Sequence, residues 1–199
     1  MFTGLIQGVG RLRELEPREG DIRIHIDTGS LPFKAVEMGE SIAVNGVCLT
    51  VTSFDDASFS ADVSTETLSL TTLGALAEGA ALNLERAMQP TERMGGHMVS
   101  GHVDGIGRVL DVQEDARAQR WRFAMPREIA RYVAKKGSIS VDGVSLTVNA
   151  VDDATFEVAL VPHTVSHTVF ADTKVGDAVN LEIDVVARYV ERLLEQRDA

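Results

Sequence analysis

The sequence holds a single cysteine, Cys48, so no disulfide can form within the chain and a cysteine-rich zinc site is excluded. Basic residues are scarce: 19 Lys and Arg stand against 30 Asp and Glu, for a formal charge of −11. Clustered positive charge drives non-specific nucleic-acid binding and adhesion to anionic membranes, so this balance argues against both partners. No apolar run approaches the roughly 18 residues of a membrane span. The opening Met1-Phe2-Thr3-Gly4 lacks the basic and apolar regions of a signal peptide. The expected setting is soluble, reducing and cytoplasmic. A Walker loop and a Gly-x-Ser-x-Gly elbow are also missing, and Gly8-x-Gly10 and Gly105-x-Gly107 lack the third glycine of a dinucleotide fingerprint. With no basic cluster to clamp a phosphate, any ligand is expected to carry little charge.

What the sequence does have is a copy of itself. Shifted by 97 residues, Gly4, Gly8, Gly10 and Arg11 fall on Gly101, Gly105, Gly107 and Arg108. Ser41 to Val51 falls on Ser138 to Val148, Asp55-Asp-Ala57 on Asp152-Asp-Ala154, and Asn83-Leu-Glu85 on Asn180-Leu-Glu182. No gap is needed, and about 27 of the 97 aligned positions are identical. That period is too long for a solenoid and signals a duplicated domain. The 199 residues, 44% of them apolar, suffice for two small cores. The expected division is a first domain over 1–97 (core 1–86, then a linker with Pro90 and Gly95-Gly96), a second over 98–184, and a separate segment over 185–199.

Each half reads mostly as strands. Asp21-Ile-Arg-Ile-His-Ile26 alternates as a half-buried strand does. Residues 41–51 read as a hairpin, with Asn45-Gly46 as its two-residue turn and Asp142-Gly143 in its place in the second half. Such a turn pairs Val44 with Val47 and Ile42 with Leu49 on one face. The other face then carries Ser41, Ala43, Cys48 and Thr50, matched by Ser138, Ser140, Ser145 and Thr147. Many short strands predict an all-β fold, a small closed barrel in each half. Helices are expected over Pro126–Lys136 and at its counterpart Leu31–Met38. From Asp184 onward, Val186, Tyr189, Val190, Leu193 and Leu194 form one apolar stripe at helical spacing. A helix this short is marginal alone. Because it lies outside the repeat, packing against other copies of itself is favoured over docking on its own barrel.

Of the five histidines, His25 sits on the polar phase of a strand and reads as inert. His163 and His167 are four apart but lack a third ligand or an HExxH frame, so no metal site is expected. His97 and His102 flank Met-Val-Ser-Gly in a glycine-rich segment where backbone turns or approaches something closely. The differences between the halves carry more than the identities: Cys48 aligns with Ser145, Leu5 with His102, Glu66 with His163, and Asn45 with Asp142. Two pockets of one shape with unlike reactive groups suit two copies of one ligand in unequal roles.

These residues resemble the riboflavin synthase α-chain family over essentially the whole chain. The resemblance rests on Met1-Phe-Thr-Gly4, Asn45-Gly-Val-Cys-Leu-Thr50, Gly95-Gly-His-Met-Val-Ser-Gly-His102, Asp142-Gly-Val-Ser-Leu-Thr147, Pro162-His-Thr164 and Asn180-Leu-Glu-Ile-Asp184, together with the duplication. It implies two six-stranded antiparallel barrels, a C-terminal helix that builds a homotrimer, and a site between the first barrel of one subunit and the second barrel of its neighbour. It implies a dismutation of two 6,7-dimethyl-8-ribityllumazine molecules that moves a four-carbon unit, needing no cofactor and no metal. Association with a lumazine synthase shell is compatible with that assembly, though the sequence gives no handle on it.

The resemblance also implies roles. In the second barrel, His102, Ser145 and Thr147 match the groups assigned to proton removal, with Lys136 and Asp142 flanking and Asp142 already half explained as a turn residue. Ser41, Cys48 and Thr50 match the acceptor-side groups of the first barrel. Met1, Phe2, Thr3, Gly4, His97 and Val103 line the pocket. Glu66 and Thr67, with Val161, His163 and Thr164 in the other half, hold the ring and ribityl chain, and Asp184 lies near the end of the second barrel. Which group is the nucleophile stays open. The main competing reading is a non-catalytic lumazine- or flavin-binding antenna protein of the same superfamily, against which the paired motifs in both halves count; a trimeric scaffold is the other.

Overall fold

In a computed structural model, which describes residues 1–195, the chain forms two closed antiparallel barrels of six strands each. The first contains β1 (Gly8–Arg18), β2 (Asp21–Asp27), β3 (Ser41–Val44), β4 (Val47–Phe54), β5 (Ser58–Ser64) and β6 (Ala81–Arg86), in wall order β1-β2-β5-β4-β3-β6. The second contains β7 (Gly105–Asp115), β8 (Ala118–Ala124), β9 (Ser138–Val141), β10 (Val144–Val151), β11 (Thr155–Leu160) and β12 (Ala178–Ile183), in the same cyclic order. Closure leaves neither sheet a free edge. The duplication extends to irregularities: bulges at Leu12/Glu14 and Val51/Ser53 recur at Val109/Asp111 and Val148/Ala150. A bulge bends and twists its strand, which is how a six-stranded sheet curls enough to close.

The hairpin register follows from its turn. Asn45 and Asp142 both take φ 45°, with Gly46 at 78° and Gly143 at 82°, the all-positive geometry of a type I′ turn. Val44 therefore faces Val47, Ile42 faces Leu49, and Ser41 and Ala43 face Thr50 and Cys48, as the spacing predicts. Ser138 and Ser140 pair likewise with Thr147 and Ser145. The two turns meet back to back: a Cβ on Gly46 would lie 2.7 Å from the Gly143 nitrogen, and one on Gly143 2.8 Å from the Gly46 nitrogen.

Around that contact the barrels interlock through two buried asparagines. Asn83 donates from Nδ2 to the Asp142 carbonyl (2.9 Å) and accepts from the Val169 amide (2.8 Å). Asn180 mirrors it, donating to the Asn45 carbonyl and accepting from the Thr72 amide, both at 2.8 Å. Each asparagine thus satisfies backbone groups that the seam would otherwise bury unpaired.

The cores differ in filling. The first is largely aliphatic, with Ile24, Ile26, Ile42, Leu82 and Leu84 around Phe59. The second stacks Trp121, Phe123 and Phe156, with Phe170 edge-on to Trp121 at 5.1 Å. Each such side chain contributes about 1.5–3 kcal/mol on burial.

Helix is sparser than the sequence suggests. In place of a helix over Pro126–Lys136 there is one turn, α2 (Arg127–Ala130), followed by tight turns in which Tyr132 and Val133 donate to Ile129 and Ala130 carbonyls. Ile129 and Val133 are buried against the second core, so packing onto the barrel overrides helical propagation. Residues 31–38 form no helix; Leu31 and Val36 pack into the first core through bends and turns. Short helices do follow β5 and β11, as α1 (Thr65–Leu70) and α3 (Pro162–Ser166). The C-terminal helix α4 spans Val185–Glu195, with Asp184 capping it by accepting from the Val186 amide (3.0 Å); residues 196–199 of the expected segment lie outside the described residues. No described helix is long and apolar enough to cross a membrane.

Candidate active site

The two repeats begin with equivalent arms, and each arm crosses to the other barrel. Phe2 and Val99 pair where they pass, through Phe2 N–H to Val99 O at 2.8 Å and the reverse at 3.1 Å. Each arm is first held by a buried glutamate of its own barrel. Glu85 accepts from the Thr3 amide and hydroxyl, both at 2.7 Å, and from the Gly4 amide at 3.0 Å. Glu182 does the same for the Ser100 amide and hydroxyl, both at 2.6 Å, and for Gly101 at 3.0 Å. The arm then docks on the partner hairpin. The Gly101 carbonyl accepts from the Cys48 amide, and the Gly4 carbonyl from the Ser145 amide, both at 2.8 Å. Only glycine fits: a Cβ on Gly101 would lie 2.6 Å from the Cys48 Cβ, and one on Gly4 2.5 Å from the Ser145 Cβ.

This crossing sorts the candidate residues into two groups. On the first barrel, Ser41, Cys48 and Thr50 share the outer hairpin face, and Phe2 packs there against Ala43 and Cys48. The second arm delivers exposed His102 just past Gly101, and Val103 packs on the first core. Glu66 and Thr67 stand in α1, directly after β5, the strand beside β4. On the second barrel, Ser145 and Thr147 share the equivalent face, and Ile6 of the first arm packs on that core. Val161, His163 and Thr164 stand at the start of α3, after β11. The resemblance groups His102 with Ser145 and Thr147; within one chain the structure brings His102 to the Cys48 side, because its arm changes barrels.

The histidine that does reach Ser145 is His97. Its Nδ1 lies 2.7 Å from Ser145 Oγ, its amide donates to the Thr3 carbonyl, and its Nε2 is buried without a partner. Burial lowers the His97 pKa, and the nearby Asp184 carboxylate opposes the shift. A neutral imidazole against a serine hydroxyl can take that hydroxyl's proton. Glu85 and Glu182 are raised in pKa, because burial outweighs the bonds they accept from the arms. His163 and His167 stack face to face at 4.0 Å, and His167 Nδ1 lies 2.9 Å from the His163 carbonyl. Among the described residues no group of three metal-ligating side chains comes together.

Two candidates lie away from the hairpin faces. Asp142 sits in its turn at the seam, 4% exposed, where it accepts from the Asn180 amide at 2.8 Å and lines a cavity of about 360 Å³ with Asn45, Thr72 and Val169. Burial pushes its pKa up to about 7. Lys136 is exposed in a left-handed turn at φ 69°, its amide bonded to the Val148 carbonyl; its counterpart is Gly39 at φ 83°.

A family model described as the lumazine binding domain matches this chain twice, over residues 3–87 and 100–184. The riboflavin synthase of Photobacterium phosphoreum is 47% identical over 194 residues, covering 98% of this chain and 89% of that one. That of Actinobacillus pleuropneumoniae is 42% identical over 199 residues (100% and 92%), and that of Bacillus subtilis 39% over 196 (98% and 91%). The chain belongs to the riboflavin synthase family. Among solved structures, LumP complexed with riboflavin superposes with a TM-score of 0.84 at 22% identity, covering 92% of this chain and 99% of that one, a likeness of fold.

The residues that anchor the arms carry no catalytic signature in the sequence. Glu85 and Asn83 show only as identities between the halves, and Glu182 and Asn180 as those identities and as part of the Asn180–Asp184 motif, with no role attached. A carboxylate or amide repeated inside an apolar strand is a signal of a buried hydrogen-bonding duty, but what each one holds depends on the crossing of the arms.

Proposed function

We propose that the chain makes riboflavin from two molecules of 6,7-dimethyl-8-ribityllumazine, releasing 5-amino-6-(D-ribitylamino)uracil. The reaction balances without oxidant, reductant or water, so it calls for no cofactor and no metal. The observation that carries this reading is the pair of hairpin faces. They share one build, each completed by an arm from the other half, yet bear unlike groups: Cys48 with the His102 arm on one, Ser145 with His97 on the other. Two copies of one ligand can dock alike and be treated differently.

The chemistry begins with the C7 methyl of one lumazine, a carbon acid whose anion delocalises into the ring. A base of near-neutral pKa suffices to remove its proton, and His102, Ser145 and Thr147 are the groups we assign to that step. Ser41, Cys48 and Thr50 serve the second lumazine, as nucleophile or as carrier of one. Because the arm takes His102 to the first barrel while Ser145 and Thr147 stand on the second, the two sides meet when the first barrel of one subunit faces the second barrel of another. Met1, Phe2, Thr3, Gly4 and Val103 then line the pocket, and Glu66, Thr67, Val161, His163 and Thr164 hold ring and ribityl chain. Asp184, beside His97, completes the second-barrel side. Lys136 and Asp142 stay outside this assignment. Holding two ligands face to face supplies much of the rate through proximity. The assembly we propose is a homotrimer built by α4, working in the cytoplasm, where Cys48 stays a thiol; docking to a lumazine synthase shell is compatible with it.

The test is direct. Purified protein is mixed with 6,7-dimethyl-8-ribityllumazine and EDTA, and riboflavin absorbance is followed. Catalytic appearance of riboflavin is expected. Tight binding without product would instead make this an antenna protein.

A further inference from the structure

The arm that carries His102 is pinned at both ends, and its second pin is shared with the C-terminal helix. On one side Gly101 is fixed to Cys48 of the first barrel. On the other, Asp104 is fixed to the second barrel: its amide donates to the Leu181 carbonyl, and its Oδ2 accepts from the Ile183 amide, each at 2.8 Å. The remaining oxygen, Oδ1, accepts from Arg188 of α4 at 2.7 Å, with the Asp104 side chain only 12% exposed. His102 and Val103 span the gap between the two pins.

The duplication supplies an internal control. Shifted by 97 residues, Asp104 is Gln7, Ile183 is Arg86 and Arg188 is Thr91. Gln7 does the same backbone work: its amide donates to Leu84 and its Oε1 accepts from the Arg86 amide at 3.0 Å. A neutral amide is therefore enough to anchor an arm to the end of a strand. The negative charge at Asp104 answers something that the first half lacks, and the guanidinium of Arg188 is the group it meets. Among the described residues, α4 has a handle on one arm only, the one that carries His102 where the other carries Leu5.

We propose that Asp104 is a positioning residue, through which the packing of α4 sets the placement of His102. Assembly of subunits through α4 would then fix the arm at the same time as it brings a neighbouring barrel into place. This rests on the reading of the chain as a trimeric riboflavin-forming enzyme.

The experiment is a double-mutant cycle on the full-length chain with Asp104→Asn, Arg188→Gln and the two combined. Asparagine keeps an acceptor for the Ile183 amide, as Gln7 does for Arg86, and removes the charge. Steady-state turnover of 6,7-dimethyl-8-ribityllumazine, sedimentation and thermal unfolding are measured for each. Each single variant is expected to stay trimeric and to lose kcat by roughly three- to thirty-fold with little change in KM, the scale of a small misplacement of a reacting group. The double variant should lose no more than either single one, since both break one interaction. A lowered Tm with kcat unchanged would reduce Asp104 to a strand cap and overturn the proposal. So would dissociation of the trimer in the single variants, since the pair would then act on assembly alone. An unmutated chain that makes no riboflavin would remove the functional reading and this proposal together, and that arm is run first.

Discussion

Ser145 Oγ lies 2.7 Å from His97 Nδ1, and the far nitrogen of the same ring is buried with no partner. A protonated imidazolium would bury a charge and an unmet donor, which is why burial lowers this pKa below the ordinary 6.5. The folded state thus binds the proton less readily than the unfolded chain. Stability from His97 is present above pH 6.5 and is lost as the pH falls through the lower folded value. Thermal unfolding of the parent and of His97→Gln between pH 8 and pH 5 checks this. The parent should lose its advantage over the variant on acidification, and a gap independent of pH would show that His97 titrates alike in both states.

Asp142 carries the opposite sign. Its folded pKa of about 7 lies above the ordinary 3.8, so the folded state holds the proton more tightly. Its contribution is fully present below pH 3.8, declines as the pH rises, and is gone by about 7. The first half has an asparagine, Asn45, at the same turn position and the same φ. Asp142→Asn should therefore raise the Tm at pH 8, by an amount on the order of a few kcal/mol in stability, and change it little at pH 4. Equal effects at both pH values would mean that the aspartate stays ionised in the fold.

The barrels, the hairpin register and the terminal helix were legible because each rests on a local period or turn that packing reinforces. Asn45-Gly46 and Asp142-Gly143 demand positive φ at both positions, and that alone sets which residues share a face. The helix over Pro126–Lys136 misled because capping signals were strong while the tertiary demand, burying Ile129 and Val133 on the barrel, was invisible. The crossing of the arms was illegible for a different reason. Gly4 and Gly101 announce a close approach of backbone, but a repeat matched to itself cannot tell whether an arm docks on its own barrel or on the copy. Within one chain, that choice decides whether His102 lies on the Ser145 side or the Cys48 side.

Gly101 tests the docked arm. Alanine there meets both a φ of 82° and the Cys48 Cβ at 2.6 Å, in a contact with no room to yield. The expected cost is about 2 kcal/mol or more, with a larger loss of activity because His102 follows directly. Gly20→Ala is the control, with a φ of 88° and no atom within 4 Å of the new Cβ; only the backbone cost of about 1–2 kcal/mol should remain, and activity should be kept. Denaturant unfolding and turnover of the two variants separate these outcomes.

Helix α4 turns its polar side to its own barrel and its apolar side away. Glu191 accepts from Tyr132 and pairs with Arg131 at 2.6 Å, while Tyr189 and Leu193 are 67% and 70% exposed. Val186, Val190 and Leu194 extend the same exposed stripe. An apolar row of this kind on a surface marks an interaction site, and its placement outside the duplicated barrels suits contact between copies of the chain. Leu193→Asp would place a charge at the most exposed position of that row. If α4 builds the proposed trimer, sedimentation should show the variant as a monomer, with circular dichroism of the barrels unchanged and turnover lost, because a first barrel would then have no neighbouring second barrel to face. A variant that stayed trimeric would move the subunit contact to another surface, and a fully active monomer would place both lumazines within one chain.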